Sequence, residues 1–161
     1  MKKELSVQEA LYKAESYCST TEHCISEVTD KLVSWGISEE DIVQIIETLQ
    51  KERFIDEQRF AIAFVRDKYR FNLWGRYKIR LYLQKKRISE NLIEKALNEI
   101  DETEYLSLLA KELERKSRSV KARDNYERNI KLMRFAYGKG YEKEEIVHCL
   151  NQILHEDVDM D

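Results

Sequence analysis

The sequence predicts an all-α protein, a tandem array of three three-helix repeats forming an elongated, curved module. Turn residues give the first reason. The 161 residues include no proline and four glycines, too few for a strand-rich fold, which needs turn signals roughly every 8–12 positions. A recurring phrase is the second: Leu32–Asp41 reads LVSWGISEED, Leu83–Leu92 reads LQKKRISENL and Ala136–Glu145 reads AYGKGYEKEE. Register is the third. Between the first two copies Ala10 aligns with Ala61, Val28 with Ile79, Ile42 with Ile93 and Ile46 with Leu97. Toward the third, Ile79 aligns with Leu132 and Ile93 with Ile146. Repeats of roughly 20–50 residues mark units that cannot bury an apolar face alone and stack to do so. Such an array presents a long surface suited to an elongated partner.

The first repeat, residues 1–54, is expected to place helices over Val7–Cys18, Glu22–Trp35 and Ser38–Lys51. The second of these carries Ile25, Val28 and Leu32 at helical spacing and ends at Gly36, which suits the left-handed position after a helix. Ser38 then caps the third, with Asp41 standing in for the glutamate of a capping box and Glu39 and Glu40 at the positive end of the dipole. Ile37 and Ile42 flank the cap as a hydrophobic staple.

The second repeat, residues 55–100, is expected over Asp56–Phe71, Trp74–Lys86 and Ser89–Ile100. Asp56 caps its first helix with Ile55 as the staple, a structural turn, and Phe60, Ala61, Phe64 and Val65 form that helix's core face. Gly75 marks the start of the next helix, whose core stripe is Ile79, Tyr82, Leu83 and the stem of Lys86. Ile88 and Ile93 staple the last around Ser89. Arg87 stands where the other two copies have Gly36 and Gly140. Either it adopts the left-handed conformation at a cost of roughly 1 kcal/mol, or this turn is built differently.

The third repeat, residues 101–154, is expected over Glu102–Arg118, Asn125–Tyr137 and Glu142–Leu154. Tyr141 and Ile146 staple its last helix around Glu142, a poorer cap. ERKSRSVKARDNYER reads as a long helix end or a mobile linker, its cations and acids often at salt-bridging spacing. Residues 155–161 form an acidic tail.

The formal net charge of −3 conceals a basic stripe. Between Arg66 and Arg87 stand Arg66, Lys68, Arg70, Arg76, Lys78, Arg80, Lys85, Lys86 and Arg87, against the single acid Asp67. On a helical wheel Arg76, Arg80 and Arg87 line one flank of the core stripe and Lys78 and Lys85 the other, while Tyr77 and Leu81 face outward. Cations at this density repel one another, and an acidic partner or phosphates would relieve that. Aromatic residues interleave with the cations upstream, ending at Trp74, which either packs or stays exposed. The cations of the third repeat make a second candidate contact region.

Other function classes find little support. Cys18, Cys24 and Cys149 are odd in number and lack C-x-x-C spacing, which fits free thiols in a reducing cytoplasm. No signal peptide or membrane-length apolar run is present. His23-Cys24 and His148-Cys149 cannot chelate from one helix face, because neighbours diverge by about 100°. No phosphate loop, nucleophile elbow or zinc-protease motif occurs. The expectation is a cytoplasmic monomer that binds rather than catalyses, with no catalytic residues, metal or cofactor and no membrane partner.

LQKERFIDEQRFAIAFVRDK, residues Leu49–Lys68, followed by WGRYKI, residues Trp74–Ile79, resembles the RecX family of bacterial recombination regulators. The carrying features are Leu49, the Ile55-Asp56-Glu57 turn, Arg59-Phe60-Ala61 and the glycine-containing start of a basic helix at Gly75. The second acid of the turn is Glu57 where the family has aspartate. The family's Arg-x-Ser-x-x-Glu-Leu appears as HCISEV, with His23, Ser26, Glu27 and Val28 at or near the equivalent places, and Arg87 replaces a common glycine. The resemblance implies a negative modulator of the RecA recombinase. It would lie in the groove of the RecA filament on single-stranded DNA and inhibit ATP hydrolysis, strand exchange and SOS coprotease activity. Under that reading the partner-binding residues are Arg66, Lys68, Arg70, Trp74, Arg76, Tyr77, Lys78, Arg80, Leu81, Lys85, Lys86 and Arg87, with weak direct DNA binding as a component. A direct, sequence-independent nucleic-acid binder and a helical scaffold without a nucleic-acid partner are the alternatives.

Overall fold

The computed structural model describes the backbone of residues 5–159 and the side chains of residues 5–153. Among them are nine helices and no strand: α1 Val7–Thr20, α2 Ile25–Ser34, α3 Glu39–Lys51, α4 Glu57–Arg70, α5 Arg76–Lys85, α6 Glu90–Asn98, α7 Glu102–Ser117, α8 Asn125–Gly138 and α9 Lys143–Asp159. None is long and apolar enough to cross a membrane.

Where the bounds depart from the sequence pattern, local chemistry explains it. Helix α2 starts at Ile25 rather than Glu22, because Cys24 takes the cap position and its N–H donates to Glu27 Oε1 at 3.2 Å. Helix α5 starts at Arg76 rather than Trp74, because Gly75 takes the cap position, its carbonyl accepting the first helical bond from the Ile79 N–H at 3.1 Å. The stretch read as a helix end or linker resolves into both. Helix α7 stops at Ser117, and α8 begins after Asp124, whose carboxylate accepts from the Glu127 N–H at 2.8 Å. Helix α9 continues past Leu154 to Asp159, so the backbone of the predicted acidic tail is helical that far; the tail's side chains lie outside the described residues.

The three copies of the phrase build one junction. In each, the last helical turn is closed by two backbone bonds. Gly36 N–H donates to Val33 O and Ile37 N–H to Leu32 O; Arg87 donates to Gln84 and Ile88 to Leu83; Gly140 donates to Tyr137 and Tyr141 to Ala136. This is the Schellman closure, which requires a left-handed residue after the helix. That residue has φ +78° at Gly36, +62° at Arg87 and +98° at Gly140. Arg87 therefore takes the strained conformation. The staples Ile42, Ile88, Ile93, Tyr141 and Ile146 are buried, and so are the register positions Ala10, Ala61, Val28, Ile79, Leu132, Ile46 and Leu97. Asp56 caps α4, accepting from the Arg59 N–H at 3.0 Å, and Ile55 beside it is buried.

The chain gathers into two compact units: one through Ala63 together with Leu83–Ala96, the other Phe64–Tyr82 together with the residues from Leu97 on. In the first, Ala10, Ala14 and Cys18 of α1 meet Val28 and Leu32 of α2 and Ile42, Ile45, Ile46 and Leu49 of α3. Here Ser26 Oγ donates to the Lys86 carbonyl at 2.7 Å, and Lys86 Nζ donates to Glu27 Oε2 at 2.9 Å. In the second, α7, α8 and α9 pack pairwise around Tyr105, Leu109, Leu113, Leu132, Ala136, Ile146 and Cys149, all buried.

Candidate functional site

A helix must find acceptors for its first N–H groups, and Ser, Thr, Asp or Asn normally supplies one locally. The residues ahead of α5, Trp74 and Gly75, have no such side chain. Its start is held instead by the turn between α8 and α9 and by α7, all within the second unit. Gly75 N–H donates to Lys139 O at 2.7 Å and Tyr77 N–H to Gly140 O at 3.1 Å. Between them Arg76 N–H donates to the Tyr105 hydroxyl at 3.0 Å. The approach is close enough that a Cβ on Gly75 would overlap the backbone of Gly140 and Tyr141.

Arg76 is engaged in the same place. Its guanidinium pairs with Glu102 and, at 2.8 Å, with Glu145, and lies 4.2 Å over the Tyr105 ring. Burial pushes the Glu145 carboxyl above its usual value more strongly than the Glu142 N–H and the Arg76 charge pull it down. Burial also raises the Tyr105 and Tyr141 hydroxyls, so both stay protonated donors. Of the predicted contact cations, Arg76 thus faces inward.

Beside this start lies a cluster of cations on aromatic rings. Lys68 of α4 places its ammonium 4.8 Å from the Trp74 ring and 5.3 Å from Phe64; Lys78 of α5 places its own 4.5 Å from Trp74. Tyr82 tilts against Trp74 at 4.6 Å, and Phe64 meets it edge-on at 6.5 Å. Trp74 is half-buried, so it both packs and shows an edge. Tyr82, which the wheel sets in the core stripe, is 38% exposed and packs against Trp74 outside the core. Tyr77 at 62% and Leu81 at 38%, one turn apart, extend this surface outward as the wheel predicts.

The remaining predicted residues differ in exposure and in their contacts. Arg66 is exposed beside Asp67, and Arg70 is clamped by Glu104 at 2.7 and 3.2 Å. Arg80 is half-buried. In the first unit, Lys85 and Arg87 are exposed, while Lys86 is held by Glu27. Burial raises the Glu27 carboxyl, but hydrogen bonds from Lys86 and from the Cys24 N–H outweigh it and hold the group below the usual carboxylate value. Sequence reasoning missed Tyr105, Glu145, Phe64 and Tyr82 as members of the site. No local pattern signals them, because Tyr105 and Glu145 lie 29 and 69 positions from Arg76 along the chain.

A family model described as RecX, second three-helix domain, matches residues 56–97, and one described as RecX, third three-helix domain, matches residues 102–150. The regulatory protein RecX of Clostridium tetani (strain Massachusetts / E88) is 35% identical over 133 residues, covering 81% of this chain and 61% of that protein. That of Chlorobium phaeobacteroides (strain BS1) is 33% identical over 133 residues, covering 83% and 85%. The crystal structure of RecX from Lactobacillus salivarius shares the fold with a TM-score of 0.81 at 24% identity, covering 91% of this chain and 95% of that one. The chain spans about three fifths of the clostridial relative's length.

Proposed function

The chain belongs to the RecX family of regulatory proteins, and from that premise we propose that it is a negative modulator of the RecA recombinase. It would lie in the groove of the RecA filament on single-stranded DNA and inhibit ATP hydrolysis, strand exchange and the coprotease activity behind the SOS response. In this reading it acts in the cytoplasm as a monomeric binder, its repeats at residues 1–54, 55–100 and 101–154 following the filament. Family membership carries the reading. The α4–α5 surface supports it with a contact chemistry, aromatic and aliphatic groups for protein and ammonium groups for phosphate.

A direct, sequence-independent nucleic-acid binder is the second reading. One observation favours it: neither Lys68 nor Lys78 forms an ion pair among the described residues, and both lie against aromatic rings. Ammonium charges on an aromatic shelf suit a phosphate backbone with unstacked bases.

The deciding experiment titrates this protein against the single-stranded-DNA-dependent ATPase of the cognate RecA. Inhibition well below one molecule per protomer supports the modulator and favours end-capping or disassembly. Inhibition only near saturation points to groove coating. No inhibition, with retained binding to bare oligonucleotide, leaves the nucleic-acid binder.

A further inference from the structure

We infer that Tyr105 and Glu145 are positioning residues for the contact surface of α5, fixing its first turn through hydrogen bonds that no residue of the second repeat supplies. The inference rests on the reading of α5 as a contact element. A tyrosine hydroxyl has one proton to give. Tyr105 accepts from the Arg76 N–H, so its own proton goes to Glu145 Oε1 at 3.3 Å. That oxygen also accepts from the Glu142 N–H at 3.1 Å, while Oε2 takes the Arg76 guanidinium at 2.8 Å. One carboxylate on α9 therefore closes a circuit through α7 to the backbone of α5. Nearby, the Tyr141 hydroxyl donates to the Leu73 carbonyl at 3.1 Å, holding the turn ahead of Trp74.

The circuit bears directly on the exposed groups. Trp74 lies two residues before Arg76, and Tyr77 and Lys78 follow it. The Gly140 turn is seated against Lys78 itself: a Cβ on Gly140 would come 2.5 Å from Lys78 Cβ and 2.6 Å from its backbone nitrogen. If the first turn of α5 shifts, Lys78 and Trp74 shift with it and the cation–ring contacts open. Buried networks of this kind give rigidity only while every member is satisfied.

Two substitutions isolate the effect. Tyr105→Phe keeps the ring under Arg76 and removes the hydroxyl. Glu145→Gln keeps an acceptor but turns an amide donor toward Arg76 or Tyr105. In the full chain, amide hydrogen exchange at Arg76 and Tyr77 should accelerate about tenfold or more in both variants, with α1–α3 unchanged. The concentration for half-inhibition of the cognate RecA ATPase should rise about fivefold or more. On a background already carrying Tyr77→Ala and Lys78→Ala that rise should nearly vanish, because positioning acts through those side chains. Unchanged inhibition, unchanged exchange at Arg76, or a rise that persists in full on that background would overturn the inference. Wild-type protein that leaves the ATPase untouched defeats the functional reading instead. The same cycle is then read on affinity for a fluorescein-labelled oligodeoxythymidine, with the same outcomes deciding.

Discussion

Arg87 occupies, at φ +62°, a backbone position where an L side chain crowds the following carbonyl and glycine does not. Arg87→Gly is expected to raise stability by about 0.5–1 kcal/mol, measured as a higher urea midpoint with an unchanged slope. The same variant tests Arg87 as a contact, since a partner-binding arginine would show weaker RecA inhibition despite the gain in stability. Glu27 carries a pH signature. Its folded pKa lies below its unfolded value of about 4.3, so its contribution is present above that pH and lost as pH falls through the folded value. Glu27→Gln should therefore flatten the acid limb of the stability profile, as followed by thermal unfolding between pH 3 and 6 (an interval of about three units around the usual carboxylate range). The cysteines make a third case: burial pushes Cys18 and Cys149 up to about 11, and all three thiols are buried and unpaired with one another. Native protein at neutral pH should react with iodoacetamide roughly a hundredfold more slowly than unfolded protein; equal rates would contradict the burial.

At the scale of elements, α5 is the informative helix. Its wheel correctly sets Ile79 and Leu83 inward and Tyr77 and Leu81 outward, since the 3.6-residue period depends on the chain alone. The same wheel puts Tyr82 inside, and the structure places it against Trp74, two residues ahead of the helix. Nor does periodicity reveal that the helix lacks a local cap. Gly75 was legible only as a helix start, whereas its role is to admit the backbone of Gly140 and Tyr141. Gly75→Ala should consequently destabilise the second unit by more than about 2 kcal/mol, far beyond the few tenths an alanine costs at an open cap. A gain in helix stability, as Ala for Gly gives in a free helix, would refute the close approach. The three junctions were readable because a Schellman turn and its staple use residues within a few positions of each other.

Across the whole molecule, the predictions concern charge. Among the described cations of the stripe, Arg70, Arg76 and Lys86 are held by acids, whereas Lys68 and Lys78 form no ion pair and lie on aromatic rings. Binding to single-stranded oligonucleotide, where it occurs, should weaken steeply with salt, each phosphate neutralised adding about 0.7 to the slope of log affinity against log salt. Lys68→Glu with Lys78→Glu should reduce that slope, while Arg70→Glu should chiefly cost stability through loss of the Glu104 clamp. An unchanged slope in the double variant would remove these lysines from the interface.

The sequence by itself determined the all-α class, the places of the helices, the three equivalent junctions and the basic stripe with its outward Tyr77 and Leu81. These follow from periodicity, capping chemistry and composition, which act over a few residues. Tertiary structure alone decided which cations remain available. It turned Arg76 inward to Glu102 and Glu145, set Lys68 and Lys78 on Trp74, and supplied the missing cap of α5 from Tyr105 and the Gly140 turn. The partners of Arg76 lie 26 to 69 positions away along the chain, and only packing, which brings distant backbone and side-chain groups within hydrogen-bond reach and removes water from between them, selects one pairing from the many that charge and spacing allow.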